Sequence, residues 1–172
     1  MRHACVMAGA VLGAALGCAS TNEALLRNAV AGAGLPREVE GFRISLGRLK
    51  GSMAMFRYVR ATPPAEFWVL RFERDPAEQQ PAAFTELDSL LATMGQGKQE
   101  FAVAEKTRFL ADRVRPVKAA YYTFQEDGAR LEGCFCVWEE PGGGRVFALN
   151  CIADEKPAPA LIERLLEECG AG

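Results

Sequence analysis

The stretch that decides the fold is residues 114–153, VRPVKAAYYTFQEDGARLEGCFCVWEEPGGGRVFALNCIA. Three runs rich in aromatic and β-branched residues are separated here by two clusters of turn residues. Asp127-Gly128 is a dipeptide typical of a two-residue hairpin turn, and residues 141–144 are a proline followed by glycines. Connections this short require antiparallel pairing. The stretch therefore predicts three antiparallel strands, over 114–126, 129–139 and 145–153.

The flanking sequence extends this sheet and adds helices. Alternation of apolar and polar residues predicts further strands over 40–46, 52–60, 66–74 and 101–110. Apolar residues with helical spacing, at Phe84, Leu87 and Leu91 and again at Leu161 and Leu165, predict two helices. The predicted fold class is α+β, with an antiparallel sheet of about six or seven strands flanked by helices.

The N-terminal residues indicate export. Met1-Arg2-His3 is a short cationic head, and the apolar run from Ala4 to Leu16 is too short to span a bilayer. Ala15-Leu16-Gly17-Cys18 resembles the lipobox of bacterial lipoproteins, in which the cysteine after the cleavage point is acylated and holds the protein at a membrane. We therefore predict three segments: a signal peptide over 1–17, a tether with a short helix over 18–36 that begins at the lipidated Cys18, and a single domain over 37–172.

A second interpretation of the leader stays open. Ala15 and Gly17 also satisfy the small-x-small rule of ordinary signal peptidase, and that cleavage would release a soluble secreted protein with Cys18 unmodified. In the lipoprotein interpretation, Ala19 after the cysteine favours transport to the outer membrane, by analogy with that family.

Composition excludes several classes of chemistry. The one histidine, His3, lies in the predicted leader, so the mature chain lacks the Ser-His-Asp and Cys-His catalytic sets and histidine-bearing metal sites. The formal net charge is -2, and the sequence contains no P-loop and no dinucleotide-type glycine fingerprint. We predict a protein that is not an enzyme, with no cofactor, no metal and no nucleic-acid partner.

Four cysteines form the main candidate site. A symmetric turn at 141–144 sets Cys134 opposite Cys151 and leaves Cys136 on the same face, with Cys169 on the terminal helix above them. Exported proteins meet an oxidising environment, so Cys134 with Cys151 and Cys136 with Cys169 are candidate disulfides.

Two alternatives for these cysteines stay open. They can be reduced thiols that pack as small hydrophobic groups. Alternatively, Cys134, Cys136 and Cys151 can form a thiol-redox or Cu(I)-handling site, to which Met53 and Met55 would add thioether ligands suited to that ion.

Basic residues recur at predicted outward positions and near the turn at 111–112. They are Arg43, Arg57, Arg60, Arg71, Arg74, Arg108, Arg113, Arg115 and Lys118. One interpretation is a face that docks an acidic partner or a polyanionic surface. The other is a solvated surface of cross-strand ion pairs, because acidic residues such as Glu66 and Glu105 lie among them.

The order of elements from about Glu40 to Cys169 resembles the PsbP-like fold. Residues 144–151, GRVFALNC, followed by an acidic loop with proline and an amphipathic helix, are similar to the last strand and helix of that family. The family includes extrinsic photosystem subunits and exported or lipid-anchored bacterial proteins, generally accessory, assembly or binding modules without catalysis. The resemblance implies an accessory protein of the cell envelope, with the membrane and an envelope protein as its partners.

Overall fold

The computed structural model describes residues 32–50, 53–73, 87–111, 115–139 and 145–170. Several predicted features lie outside these ranges. They are the leader over 1–17, the lipidation site Cys18, the tether as far as Ala31, the first residues of the first helix and the turn at 141–144.

The described ranges contain eight strands and two helices. The strands are β1 (Glu38–Val39), β2 (Phe42–Lys50), β3 (Met53–Ala61), β4 (Pro64–Glu73), β5 (Gln99–Ala111), β6 (Arg115–Glu126), β7 (Ala129–Glu139) and β8 (Arg145–Ala153). The helices are α1 (Leu87–Gly95), between β4 and β5, and α2 (Pro159–Gly170), after β8.

All eight strands form one antiparallel sheet in the order β1-β2-β3-β4-β8-β7-β6-β5. The first four strands make one meander and the last four make another, and the two meanders join where β4 pairs with β8. Phe67 lies opposite Cys151 in that pairing, and Trp68 lies opposite Asn150. The two central strands therefore come from different meanders, β4 from the first and β8 from the second. Strands β1 and β5 form the two edges of the described sheet.

The predicted fold class is wrong in its balance of elements and in its strand count. Strands account for 64% of the described residues and helices for 19%, so this part of the chain is mainly a sheet with two short helices and not an α+β fold with flanking helices. The strand that the sequence did not predict is β1, whose two residues are too few to show an alternating pattern.

Each face of the sheet carries its own apolar cluster. We call the face that carries Cys134, Cys136 and Cys151 the thiol face, and α2 packs on it through buried residues such as Leu165. The opposite face, which we call the network face, packs against Leu91 of α1. Fully burying a large apolar side chain stabilises a fold by about 1.5–3 kcal/mol, so both clusters contribute to holding the sheet.

Arg71 ties α2 to the thiol face, and the prediction that it faces solvent is wrong. Its Nη2 donates to the carbonyl of Cys169 in the last turn of α2 at 3.3 Å, and its Nη1 donates to the carbonyl of Ala33. Its guanidinium lies 5.1 Å from the ring centroid of Phe147. A cation is favourable at a helix C terminus, and β4 lies at the centre of a sheet covered on both faces, so this position is interior.

Candidate functional site

The structure brings the predicted cysteines together on the thiol face. Cys134 lies opposite Cys151 and Cys136 lies opposite Leu149, which is the register predicted from the turn. All four cysteines of the domain, including Cys169 on α2, have 0% of their surface exposed. The thiols therefore belong to the interior between the sheet and α2, and they do not line an open cleft.

The four cysteines are free thiols in the structure. The Sγ atoms of Cys134 and Cys136 lie 3.9 Å apart along β7 and share a hydrogen bond. Neither predicted disulfide is formed among the described residues, and oxidation of these cysteines stays a prediction.

Burial makes three of these thiols, those of Cys136, Cys151 and Cys169, poor nucleophiles and poor metal ligands. It raises the pKa of Cys151 and the pKa of Cys169 each to about 12, and it raises the pKa of Cys136 well above its usual range. The thiolate is the reactive and metal-binding form, and a raised pKa keeps the thiol protonated at neutral pH. Within the described ranges, no group of three or more acidic, cysteine or histidine side chains could hold a metal ion.

The proposed methionine ligands lie on the other side of the sheet. Met55 packs with Trp68 and Leu70 on the network face, whereas Cys134 and Cys136 belong to the cluster on the thiol face. Side chains two residues apart on a strand point to the same face, so Met53 is also separated from the cysteines by the sheet. The prediction of a joint methionine and cysteine Cu(I) site is therefore wrong.

The network face contains an ion pair whose carboxylate is buried, which neither interpretation of the basic residues, the docking face or the solvated surface of ion pairs, predicted. Glu66 is 2% exposed, and its Oε2 accepts a hydrogen bond from the Nε of Arg57 at 2.9 Å. Its Oε1 accepts one from the indole Nε1 of Trp68 at 3.0 Å. The Arg57 guanidinium also lies 5.5 Å from the centroid of the Trp68 ring. A buried carboxylate is tolerated when it is paired and hydrogen-bonded, as this one is.

Another hydrogen bond on this face connects β6 to β8 across β7. The hydroxyl of Tyr122 donates to Oδ1 of Asn150 at 2.6 Å. The Tyr122 ring lies against Gly133 of β7, where an added Cβ would stand 2.2 Å from the ring. Asn150 is 7% exposed, and it lies opposite both Trp68 of β4 and Phe135 of β7. Asn150 therefore lies where the two meanders join, and Tyr122 reaches it from within the second meander.

Two charged groups lie at the end of the network face. Burial lowers the pKa of Lys98, and the nearby Glu126 opposes this effect. Burial also raises the pKa of Glu126, and Lys98 opposes that effect in turn. The Nζ of Lys98 stands 3.7 Å from the ring centroid of Phe124. These opposite charges stabilise one another at the end of β6.

The edge strand β5 holds the exposed apolar side chains of the described chain. The large hydrophobic residues that are exposed there are Val103 at 42% and Leu110 at 54%, and both lie on β5. Arg108 of β5 lies directly opposite Lys118 of β6, and both of these side chains are exposed. Two like charges directly opposite each other disfavour pairing, which makes this location unusual for purely structural residues.

Comparison with known proteins adds little to this geometry. No protein-family model matches the chain, and no curated protein sequence matches it. Among solved structures, the chain is similar to the crystal structure of PA94 from Pseudomonas aeruginosa, a protein of unknown function described as a candidate regulator. The TM-score is 0.40 and the identity is 14%, over 71% of this chain and 88% of that one. In the described part of the chain, neither helix has the length and apolar content needed to cross a membrane.

Proposed function

We propose that the protein is a non-catalytic binding or assembly accessory protein of the cell envelope. In this proposal, residues 1–17 direct export, and a lipid on Cys18 anchors the mature chain at the membrane, on the periplasmic side of the outer membrane. The support for export is the cationic head, the short apolar run and the small residues before Cys18.

The observation that supports the binding role is that the reactive side chains are buried, whereas exposed apolar and cationic side chains lie on the edge strand β5. The thiols are buried and the Glu66 carboxylate is paired inside the fold, so these groups serve packing. The exposed apolar residues Val103 and Leu110 lie on β5, next to the exposed cations Arg108 and Lys118. Exposed apolar groups at an open sheet edge are typical of a surface that contacts a partner.

Mass spectrometry of the protein purified from bacterial membranes tests the export and anchoring. We expect the mature N terminus at Cys18, with a mass increase that corresponds to a diacylglycerol and an amide-linked acyl chain. Cys18→Ser should abolish this modification. The matched control is Cys5→Ser, which removes a cysteine of the predicted leader and should leave the modification intact.

Two results would contradict this part of the proposal. An unmodified N terminus at Cys18 would favour the soluble secreted form, and a chain that retains residues 1–17 and stays in the cytoplasm would contradict export altogether.

A further inference from the structure

Strand β5 forms one edge of the sheet in the described part of the chain. It spans 13 residues, Gln99–Ala111, and within the described ranges it pairs with β6 alone. Register shifts interrupt the pairing near Ala102 and between Val103 and Glu105. From Glu105 opposite Tyr121 to Ala111 opposite Arg115, the pairing is regular. Such a regular edge presents an outward N–H and C=O at every second residue, which an extended segment can pair with.

The side chains of this regular stretch alternate in a way that defines two faces. Phe109 points into the cluster on the thiol face, so Lys106, Arg108 and Leu110 point to the network side. Arg108 and Leu110 are exposed, and Lys118 of β6 stands beside Arg108. A strand added next to β5 would therefore meet cationic groups and an apolar group on one of its faces.

The charges of β5 argue against pairing with a second copy of this chain. Antiparallel self-pairing centred on Thr107 would place Lys106 opposite Arg108 of the other copy. Centring on Lys106 or on Arg108 would place each of these cations opposite itself. Like charges directly opposite each other destabilise a ladder, and lysines and arginines at an edge are a common means of preventing self-association.

Of the three cations Lys106, Arg108 and Lys118, one forms an ion pair among the described residues. Lys106 is paired with Asp88 of α1 at 2.7 Å. Arg108 and Lys118 have no such pair among the described residues, although the whole chain carries a net charge of -2. Arg108 and Lys118 therefore form an exposed cationic pair on the β5 and β6 ribbon, which an acidic segment would complement.

We propose that β5 binds an extended acidic segment of a partner protein by strand addition. The segment carries an acidic side chain opposite Arg108 and within reach of Lys118, and an apolar side chain opposite Leu110. Backbone pairing along Glu105–Ala111 holds the segment, and the side chains select it. This inference deepens the proposed accessory function, because it specifies the surface and the chemical class of the partner.

A peptide-binding measurement on the purified protein tests the inference without depending on the lipid anchor. The probe is a short, end-blocked, fluorescein-labelled peptide in which glutamate alternates with threonine and one leucine stands at the end of the acidic face. We expect saturable binding by fluorescence anisotropy that weakens as salt increases. A peptide with lysine in place of each glutamate should bind at least about tenfold more weakly, because each cross-strand attraction becomes a repulsion.

Charge-reversed variants locate the binding on β5. Arg108→Glu with Lys118→Glu should weaken binding of the acidic peptide roughly tenfold, since two exposed cross-strand attractions are replaced by repulsions. The matched control is Arg43→Glu, which reverses a charge on β2 near the opposite edge, where the Arg43 side chain is 78% exposed. This control should bind the peptide as the unchanged protein does. Circular dichroism confirms that each variant keeps the sheet.

Three outcomes would overturn the inference. They are equal binding of the acidic and the lysine peptides, equal binding by the double variant and the unchanged protein, and no detectable binding by any of them. Dimerisation of the unchanged protein through β5, detected by sedimentation and lost on charge reversal, would replace the acidic partner with a second copy. None of these results depends on lipidation at Cys18. The binding inference and the proposed anchoring can therefore fail separately.

Discussion

At the scale of single residues, the hydrogen bond between Tyr122 of β6 and Asn150 of β8 depends on one position without a side chain. Gly133 of β7 leaves the space that the Tyr122 ring occupies on its way to Asn150. A β-carbon at this position would stand 2.2 Å from the ring, so the ring or the strand would have to move. The hydrogen bond between Tyr122 and Asn150 would then be lost or distorted.

We therefore predict that Gly133→Ala lowers the free energy of unfolding by about 1–3 kcal/mol, the range for overpacking a well-packed core. Urea unfolding followed by tryptophan fluorescence measures this change. Gly32→Ala is the matched control, because a β-carbon there meets nothing within 4 Å. Equal stability of the two variants would show that the Tyr122 ring does not occupy the space above Gly133.

Two of the polar residues whose burial was not predicted from the sequence, Glu66 and Asn150, have one feature in common. Glu66 and Asn150 are single polar residues within apolar runs, AEFWVL and FALNCIA, and each lies on a strand at the centre of the sheet. A polar residue in such a run must find a hydrogen-bond partner inside the fold. Short turns place β3 beside β4 and place β6, β7 and β8 side by side, but they do not show which polar side chains on these strands meet. The partners of Glu66 and Asn150, which are Arg57 and Tyr122, therefore come only from the structure.

At the scale of elements, short connections could be predicted and long ones could not. The strands predicted over 129–139 and 145–153 have the same bounds as β7 and β8, and the register of Cys134 with Cys151 was correct. The pairing of β4 with β8 joins residues that are far apart in sequence, so no turn geometry indicates it. The fold class was wrong because apolar helical spacing identifies the two helices without showing how small they are compared with the sheet in the described residues.

The attachment of α2 to the sheet yields a prediction at this scale. Arg71→Met keeps an apolar stem near Phe147 but removes the charged donors to the carbonyls of Cys169 and Ala33. We expect the free energy of unfolding to fall by about 2 kcal/mol or more, because hydrogen bonds from charged groups contribute about 1.5–3 kcal/mol each. Chemical denaturation measures the fall, and amide hydrogen exchange should show faster opening of α2.

Arg164→Met is the control for that experiment. Arg164 also lies on α2, but its ion pair with Glu40 is at the surface, with 53% of the Arg164 side chain exposed. Surface pairs contribute about 0–1 kcal/mol, so this variant should unfold almost as the unchanged protein does. Equal losses in the two variants would contradict the role of Arg71 at the end of α2.

At the scale of the whole molecule, the described residues form an interior that holds the thiols and an edge strand with exposed side chains. The two meanders and α2 enclose Cys134, Cys136, Cys151 and Cys169. The strand β5, at one edge, keeps its exposed apolar and cationic side chains on the outside. In the proposed function, this edge contacts the partner, and the buried thiols contribute to the fold by packing.

Labelling of native thiols tests this division most directly. The purified protein is treated with a maleimide reagent at neutral pH, without prior reduction, and the modified cysteines are identified by mass spectrometry. We predict that Cys134, Cys136, Cys151 and Cys169 stay unmodified in the native protein, and that unfolding in guanidinium after reduction exposes all four. Rapid modification of Cys134, Cys136 or Cys151 in the native state would place the thiols at an accessible surface and would contradict the account.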